Sequence, residues 1–331
     1  MKKIIKKIII VLVCLIVVAL LYFLIEPLLI PKSSAKVENS SKWMARLGDD
    51  VPISEVYMPG THDSGSEFAD LAYFSKCQIS GIGAQLEDGT RYLDVRLQVS
   101  GKEGDEELVF CHGFCKCRKG IWPWSPVLDL EDVLEECYAF LEANPTETIV
   151  FAVKMEQGDD VKAFQELLHT YIDKDPEHWY LSDSIPRMAE CRGRIVLFRR
   201  YEDVCGYGKN SGIQLLWADQ GGKDDTSLNA VIEPQDTYRL VIQDRYKYAA
   251  SDKWKAFIAG LEASSLMDSE HLSISFLSTN GTPKFGHPYA YAKVLNRNFI
   301  AEDFSEYGPS WMILDFSNAS MAQQIYDLNF K

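Results

Sequence analysis

From residue 50 onward the chain alternates between short apolar runs and amphipathic helical stretches, and this alternation restricts the fold more than any other feature. Eight runs have the length and the Val, Ile, Leu and Phe content of strands buried on both faces: 53–58, 92–97, 108–111, 148–154, 194–198, 240–243, 272–276 and 311–314. Strands that alternate with helices form a parallel sheet with the helices outside. We therefore predict an α/β fold, a (β/α)8 barrel of the TIM type, irregular because some connections are too short for a helix.

The helical stretches are clearest in LEDVLEECYAFLEANP, where apolar residues recur at helical spacing from Leu130 onward. Asp129 is the predicted N-cap, and Pro145 marks the end of the helix. Two further stretches, 160–171 and 252–266, show the same periodicity.

The N-terminus differs from the rest of the chain in composition. Residues 8–25 carry no charge, and as a helix they would span about 27 Å, close to the thickness of a bilayer core. Lysines at positions 2, 3, 6 and 7 precede this run, so the positive-inside rule predicts a cytoplasmic N-terminus and export of the rest. We expect an uncleaved signal anchor, a single-pass transmembrane helix in the cell membrane. The alternative is a signal peptide cleaved near 33–35, which would give a secreted protein, but the run is longer than a typical signal peptide requires.

The predicted organisation is thus a transmembrane segment at 1–31, a polar linker at 32–42 and one barrel domain at 43–331. Without residues 1–31, 30 basic and 47 acidic side chains remain, a net charge of −17. Such a surface argues against nucleic acid as a partner and against electrostatic adhesion to anionic lipid. A membrane anchor would make that adhesion unnecessary.

Seven cysteines lie outside the apolar run, at positions 77, 111, 115, 117, 137, 191 and 205. The cluster CHGFCKC at 111–117 brings four potential zinc ligands into seven residues, without the two separated ligand pairs that structural zinc sites use. A disulfide that involves one of these cysteines is the other alternative, and the sequence leaves both open.

Polar residues follow the ends of seven of the eight predicted strands. We interpret Pro59-Gly60 as a turn, which sets His62 and Asp63 just past the first strand. The other strands are followed by Arg96, His112, Lys154, Arg200, Asp244 with Tyr246, and Asp315. A barrel gathers the carboxyl ends of its strands on one face, so we expect a functional site there.

Some of these residues also allow a purely structural interpretation. Asp94 and Arg96 are two apart on one strand, where they would form an ion pair within the barrel. Lys154 would extend its ammonium group to solvent, and residues 244–246 would form a surface turn. It is the convergence of seven strand ends that favours a functional site.

Nine segments carry a resemblance to a known family, and they occur in the family's order over almost the whole chain after residue 41. They are SKWM (41–44), PISEVYMPGTHDSGS (52–66), GTRYLDVRL (89–97), HG (112–113), ANPTETIVFAVKME (143–156), GRIVLFRRY (193–201), VIQDRYKY (241–248), GTPKFGHPYAYAKVLN (281–296) and WMILDF (311–316). The chain resembles the bacterial phosphatidylinositol-specific phospholipases C, the X-domain family.

This resemblance implies cleavage of phosphatidylinositol to diacylglycerol and inositol 1,2-cyclic phosphate. It makes His62 the general base, supported by Asp315, and His112 the general acid, coupled to Asp63. It assigns the phosphate to Arg96, whose planar fork can bind two oxygens. Side chains implied to bind the inositol ring are Lys154, Arg200, Asp244 and Tyr246, with Trp217 a weaker candidate.

The resemblance also predicts that no metal is used. Calcium-dependent relatives carry Asn after the first histidine and acidic ligands elsewhere, whereas this chain has Asp63, Arg96 and Lys154 at those places. Arginine and lysine cannot bind calcium, and a fixed guanidinium can supply the positive charge instead.

Three departures from the family concern the surroundings of the site. Cys111 stands where close relatives often have a histidine. Trp122 and Trp124 lie in an unfamiliar loop, where they would either enter a lipid interface or pack beneath the loop. The family's apolar rim loop, near 283–287, is kept only through Phe285.

Two other functions stay open on sequence alone. A barrel phosphodiesterase of the glycerophosphodiester or sphingomyelinase-D-like type would require a His-Arg start and an acidic metal cluster. A non-catalytic inositol-lipid binding module would not need both histidines and both of their aspartates. The expected partner is phosphatidylinositol in a bilayer, and glycosylphosphatidylinositol anchors are a further candidate substrate.

Overall fold

The computed structural model describes residues 2–32, 36–222, 226–266, 271–281 and 287–331. The helices are α1 Lys2–Ile25, α2 Ala72–Ser75, α3 Ile82–Glu87, α4 Leu130–Ala143, α5 Val161–Ile172, α6 Met188–Cys191, α7 Ala250–Ser265, α8 Pro288–Ala301 and α9 Ala319–Tyr326. The strands are β1 Met58–Thr61, β2 Tyr92–Lys102, β3 Asp105–His112, β4 Cys115–Lys116, β5 Ile149–Gln157, β6 Trp179–Tyr180, β7 Ile195–Arg199, β8 Ile213–Gln214, β9 Val231–Pro234, β10 Arg239–Gln243, β11 His271–Phe276 and β12 Trp311–Leu314.

Parallel strands form the wall of an irregular barrel. From β1, the sheet continues through β2, β5 and β7 on one side and through β12, β11 and β10 on the other. The short β8 pairs in parallel with the carboxyl end of β7, and β9 runs antiparallel to β10. Two side-chain hydrogen bonds join the β8 segment to the turn between β9 and β10. Tyr238 Oη donates to Gln214 O at 2.6 Å, and Gln235 Nε2 donates to Leu216 O at 2.7 Å.

Six of the eight predicted strands are confirmed as parallel strands of the barrel: β2, β5, β7, β10, β11 and β12. The run 108–111 is a strand, β3, but it pairs antiparallel with β2 and forms a hairpin outside the parallel set. Two short strands that were not predicted, β6 and β8, also pair in parallel with β7.

The first predicted strand was placed wrongly, because Ile53–Glu55 is a 3-10 helix and Pro59-Gly60 lies inside β1 rather than in a turn. A proline is accommodated there because the neighbouring β2 pairs with β1 only from Gly60 onward. Gly60 is required by packing, since a Cβ at this position would lie 2.4 Å from Ile313 Cδ1 and 2.9 Å from Tyr92 Cβ. His62 still follows the strand end, and its N–H donates to Leu314 O at 3.0 Å.

The three predicted helices are confirmed, and so is the predicted Asp129 cap of α4. Asp129 accepts a hydrogen bond from Asp132 N at 2.9 Å at the start of α4, and Asp160 caps α5 through Ala163 N in the same way. The predicted helix at 252–266 is α7. Within the described residues, one helix is long and apolar enough to cross a membrane, over Lys3–Leu28.

Alternate residues of each strand face opposite sides of the barrel wall. In β2, Tyr92 packs in the interior cluster with Trp311 and Ile313, while Leu93 packs with α4 and α5 on the outside. Asp94 and Arg96 share the interior side with Tyr92 because strand side chains alternate with a period of two. Arg96 lies opposite Lys154 in the register of β2 and β5.

A buried ion pair closes the amino end of the barrel. Arg91 donates from Nη2 and Nε to Glu147 Oε2 at 2.8 and 3.1 Å, and both side chains are fully buried. The same carboxylate oxygen accepts from Met44 N at 3.2 Å, which ties the segment before the barrel to its wall.

We predict that Glu147→Gln lowers the free energy of unfolding by about 3–5 kcal/mol, because it leaves the buried Arg91 guanidinium without a counter-charge. Denaturant unfolding of the full chain in detergent, followed by tryptophan fluorescence, measures this. Glu135→Gln on the exposed side of α4 is the control and should change stability by less than about 0.5 kcal/mol. A Glu147→Gln protein as stable as the control would show that the pair does not hold the barrel together.

Candidate active site

A cavity of about 1020 Å³ opens at the carboxyl ends of the barrel strands. Nine of the ten predicted site residues line it: His62, Arg96, His112, Lys154, Arg200, Trp217, Asp244, Tyr246 and Asp315. The tenth, Asp63, is buried directly behind His112. Of residues 244–246, Asp244 and Tyr246 line this cavity, and Arg245 between them is buried.

The first histidine–aspartate pair follows two neighbouring strands. His62 comes after β1 and Asp315 after β12, and the last residues of these strands, Thr61 and Leu314, are partners in the sheet. His62 Nδ1 lies 2.8 Å from Asp315 Oδ1, and Asp315 is buried. This contact fixes the imidazole ring and leaves Nε2 as the atom that can accept a proton.

The second pair joins the turn after β1 to the β3–β4 hairpin. His112 ends β3, and its Nδ1 contacts the carboxylate of Asp63. Asp63 itself has a left-handed backbone, with φ of 47°, and its N–H donates to Asp94 Oδ2 at 3.0 Å. This turn directs the adjacent side chains of His62 and Asp63 to different partners, Asp315 and His112. One short segment therefore contributes to both histidine–aspartate pairs.

The pKa of His112 is raised above its ordinary value. Burial disfavours the charged imidazole, but the carboxylate of Asp63 and its hydrogen bond outweigh this effect. The rings of His62 and His112 lie 6.3 Å apart at an interplanar angle of 85°. One small group bound between them can therefore reach both imidazoles, one acting as a base and the other as an acid.

A buried carboxylate holds two arginines at the floor of the cavity. Asp94 Oδ2 accepts from Arg96 Nε at 3.0 Å, and Asp94 Oδ1 accepts from Arg200 Nη1 at 2.7 Å. This confirms the ion pair expected between Asp94 and Arg96. Burial would raise the pKa of Asp94, but the two guanidinium groups hold it well below its usual range. The pKa of Arg96 is correspondingly raised, so its positive charge is permanent.

Trp217 and two acidic side chains, Asp219 and Asp244, form the cavity wall opposite the two histidines. The guanidinium of Arg200 lies 4.2 Å above the Trp217 ring, and Trp217 Nε1 donates to Asp244 Oδ2 at 3.1 Å. Tyr246 Oη donates to Asp219 Oδ1 at 2.7 Å. The cavity thus offers donors and acceptors on one side of an aromatic surface.

Glu156 is a cavity residue that the sequence interpretation missed. It accepts from Lys154 Nζ at 2.6 Å and from Gly113 N at 3.1 Å, and it lies 3.6 Å from Arg96 Nη1. Burial opposes its charge, but the two cations lower its pKa. Its position two residues after Lys154 on β5 was a usable signal, since both side chains face the same side of the strand. No comparable pattern indicated Asp219, which comes from a loop.

Two overlapping sets of side chains could hold a metal ion, and both include the buried Cys77. They are His62, Cys77 and Asp315, and Asp63, Cys77 and His112, with donor atoms within 4.8 Å of one another. Each set offers one thiol, one imidazole and one carboxylate, which is a poor match for calcium with its six to eight oxygen ligands. Burial and the nearby Asp315 and Asp63 raise the pKa of Cys77 well above its usual value, so the thiol is protonated.

Neither alternative for the CHGFCKC cluster holds. Cys111, Cys115 and Cys117 are buried free thiols. The other five cysteines are also free, so all eight cysteines of the chain are unpaired. In the described part of the chain, no metal-binding set includes any of these three. The β3–β4 hairpin pairs Cys111 with Lys116 and His112 with Cys115, so Cys111 lies on the face of the hairpin opposite to His112 and Cys115.

The aromatic residues of the following loop are exposed. Trp122 and Trp124 are 57% and 77% exposed and stack on each other with ring centroids 5.2 Å apart. Packing beneath the loop is therefore wrong, and the lipid interface remains a prediction. Phe285 and the rest of the predicted rim loop at 283–286 lie outside the described residues.

Comparisons with known proteins agree with this geometry. A profile of the family described as phosphatidylinositol-specific phospholipase C, X domain, matches residues 50–201. The chain is 29% identical over 305 residues to a 1-phosphatidylinositol phosphodiesterase of Staphylococcus aureus, a match that covers 86% of this chain and 91% of the relative. It is 26% identical over 282 residues to the protein of the same name from Listeria monocytogenes, covering 81% and 82%.

Solved structures of similar proteins confirm the barrel. A mutant of the phosphatidylinositol-specific phospholipase C from Staphylococcus aureus matches with a TM-score of 0.71 at 24% identity, covering 87% of this chain and 98% of the other. The phosphatidylinositol-specific phospholipase C from Listeria monocytogenes matches with a TM-score of 0.66 at 23% identity, covering 88% and 98%. At this identity the likeness establishes the fold.

We predict that Asp63→Asn lowers the pKa of His112, because the raised value depends on the charge of Asp63. NMR titration of the histidine ring protons measures this, with His178, which pairs with Asp175 far from the cavity, as the internal reference. Since the folded-state pKa is raised, the ion pair stabilises the fold below pH of about 6.5, and this contribution is lost as pH rises through the folded pKa. An unchanged His112 titration in Asp63→Asn would contradict the assignment.

Proposed function

We propose that this chain belongs to the family described as phosphatidylinositol-specific phospholipase C, X domain, and that it is itself such an enzyme. It cleaves phosphatidylinositol to diacylglycerol and 1D-myo-inositol 1,2-cyclic phosphate, without a metal ion. The observation that carries the proposal is the pair of imidazoles, 6.3 Å apart, each held by its own carboxylate beside a fixed guanidinium.

The two histidines divide the proton transfers. His62 Nε2 takes the proton from the inositol 2-hydroxyl while that oxygen attacks phosphorus. The bond from phosphorus to the diacylglycerol oxygen breaks, and His112 gives a proton to this leaving oxygen. Asp315 holds the His62 ring, and Asp63 holds the His112 ring. The raised pKa of His112 favours the protonated form that its role as the acid requires.

Arg96 stabilises the charge that develops on the phosphoryl oxygens. Its side chain is held by Asp94 on one side and Glu156 on the other, so it is oriented before the substrate arrives. A positive group that needs no reorganisation in the transition state is the most effective form of electrostatic stabilisation. Arg96 and Lys154 also supply the positive charge for which other phosphodiesterases use calcium.

The opposite wall binds the headgroup. Asp244 accepts hydrogen bonds from inositol hydroxyls, while Arg200 and Lys154 donate to them. Trp217 keeps Arg200 in place by stacking, and the ring of Tyr246 offers an apolar surface to one face of the inositol. A binding module would need this wall, but it would not need two carboxylate-supported imidazoles opposite it.

The substrate lies in a bilayer, and α1 supplies the attachment to it. We propose that residues 1–31 form a signal anchor, with the linker at 32–42 and the catalytic barrel at 43–331 outside the cytoplasm. The basis is the uncharged helix and the lysines that precede it.

We predict that His62→Ala and His112→Ala each lower the rate of cyclic inositol phosphate release by about 10²–10⁴-fold, the usual contribution of a general acid or base. Release from phosphatidylinositol vesicles, resolved by ³¹P NMR, measures this. His178→Ala removes a histidine from an equally short pair with Asp175 and should leave the rate unchanged. A wild-type protein that binds the lipid but releases no cyclic product would favour the binding module.

We predict that a chelator leaves the activity unchanged, whereas Arg96→Lys lowers it by about 10²-fold or more because a lysine cannot reproduce the fork. The control is Arg118→Lys, which alters a two-point pair with Asp70 outside the cavity. If the chelator abolished activity and calcium restored it, the metal-independent mechanism would be wrong.

A further inference from the structure

The end of α1 docks on the barrel instead of leading into a free linker. The ring of Phe23, in the last turn of α1, lies 4.6 Å from that of Tyr73 and 5.8 Å from that of Phe74. Tyr73 in turn stacks on His287 at 4.1 Å. The membrane helix is thus joined through aromatic contacts to α2 and to the start of α8.

Polar and apolar contacts continue beyond the helix. Glu26 Oε2 lies 2.7 Å from His287 Nε2. Ile30 is 7% exposed and packs in a cluster with Ile79 and Phe316, and Lys32 Nζ lies 2.7 Å from Glu67 Oε1. Contacts at four successive points, from residue 23 to residue 32, restrict rotation as well as translation of the helix end.

These contacts lie at the opening of the catalytic cavity. Phe74 of α2, which α1 touches, lines the cavity, and so does Pro288, which follows His287 at the start of α8. Phe316, which packs against Ile30, directly follows Asp315. The anchor is therefore attached to the rim of the active site and not to the opposite end of the barrel.

The length of α1 places this rim at the membrane surface. The uncharged run ends at Ile25, so a helix that spans the bilayer core brings Ile25 to its outer edge. Phe23 lies about 3 Å below that edge, and its contact with α2 puts α2 within the headgroup layer, which is roughly 5–8 Å thick on each side.

The exposed side chains at this junction suit that location. Leu28, Leu29, Leu71 and Phe74 are 55%, 72%, 60% and 42% exposed. Leu71 has a left-handed backbone, with φ of 52°, which a leucine rarely adopts. The chain thus presents apolar side chains where the lipid would cover them.

We propose that α1 is a rigid mount that holds the mouth of the cavity against the outer leaflet of the membrane that α1 itself spans. The inference rests on the proposed function, since it makes phosphatidylinositol of this same leaflet the substrate. A flexible tether raises only the local concentration of the enzyme. A mount also fixes the orientation in advance, so less entropy is lost when a lipid headgroup enters the site.

Reconstitution of the full chain into vesicles tests the choice of leaflet. Labelled phosphatidylinositol is placed either in the vesicles that carry the protein or in added protein-free vesicles. We expect at least tenfold faster release of cyclic product from the carrier vesicles at equal total lipid. Equal rates from both populations would overturn the proposal.

Two insertions of equal length separate a mount from a tether. Ten Gly and Ser residues between Ile25 and Glu26 keep the attachment but release the helix from the rim. The same insertion between Lys36 and Val37 lies beyond the docked residues. We expect the first to lower release from carrier vesicles at least fivefold and the second to have no effect. If the two behave alike, the mount is excluded.

Two further measurements separate failure of the mount from failure of the proposed function. Short-chain phosphatidylinositol, dispersed below its micelle concentration, should be cleaved equally by the parent and by both insertion variants. If no protein cleaves it, the proposed function fails. The mount is then tested by the fluorescence of a Leu71→Trp variant. Lipids brominated near the headgroup should quench the fluorescence of the added tryptophan. The quenching should be weaker when Leu71→Trp is combined with the first insertion. Equal quenching in both would overturn it.

Discussion

The carboxylate of Asp94 is the interaction on which the site depends. It is fully buried, and it accepts hydrogen bonds from Arg96, from Arg200 and from the backbone N–H of Asp63. An isolated charge in this position would be costly, and two guanidinium groups together with a backbone donor offset that cost. The same contacts orient Arg96, the arginine proposed to bind the phosphate, and hold the left-handed turn at Asp63. Binding groups and proton-transfer groups therefore share one support.

The charge distribution of the molecule explains why attachment to the membrane matters. Outside residues 1–31 the net charge is −17, which opposes approach to an anionic bilayer. The cavity is the exception, because Arg96, Arg200 and Lys154 gather around one region where a phosphodiester would bind. In the proposed arrangement, the docked hydrophobic helix supplies the membrane attachment that the surface charge does not. The cavity can therefore keep its positively charged side chains.

The strands that were predicted correctly, such as 311–314 and 194–198, are buried on both faces, so their apolar runs are continuous and easily recognised. The errors arose where short segments obtain their structure from neighbours. Pro59-Gly60 is a strong turn signal, yet it becomes strand because β12 pairs with it and because only glycine fits against Ile313 and Tyr92. The run 108–111 has the composition of a barrel strand, and only its pairing shows that it returns alongside β2. Glu156 could have been found from its spacing to Lys154, whereas the loop residue Asp219 could not.

The sequence by itself determined the barrel class, the apolar N-terminal helix and the identity of nearly all the polar side chains in the cavity, because these depend on local periodicity and on strand ends that any parallel barrel collects. Only the tertiary structure decided that β3 returns alongside β2, that eight cysteines stay unpaired, and that α1 meets the barrel at the mouth of the cavity. Those outcomes depend on register, on hairpin geometry and on packing between segments as distant as residues 30 and 316, and no local pattern encodes such distances.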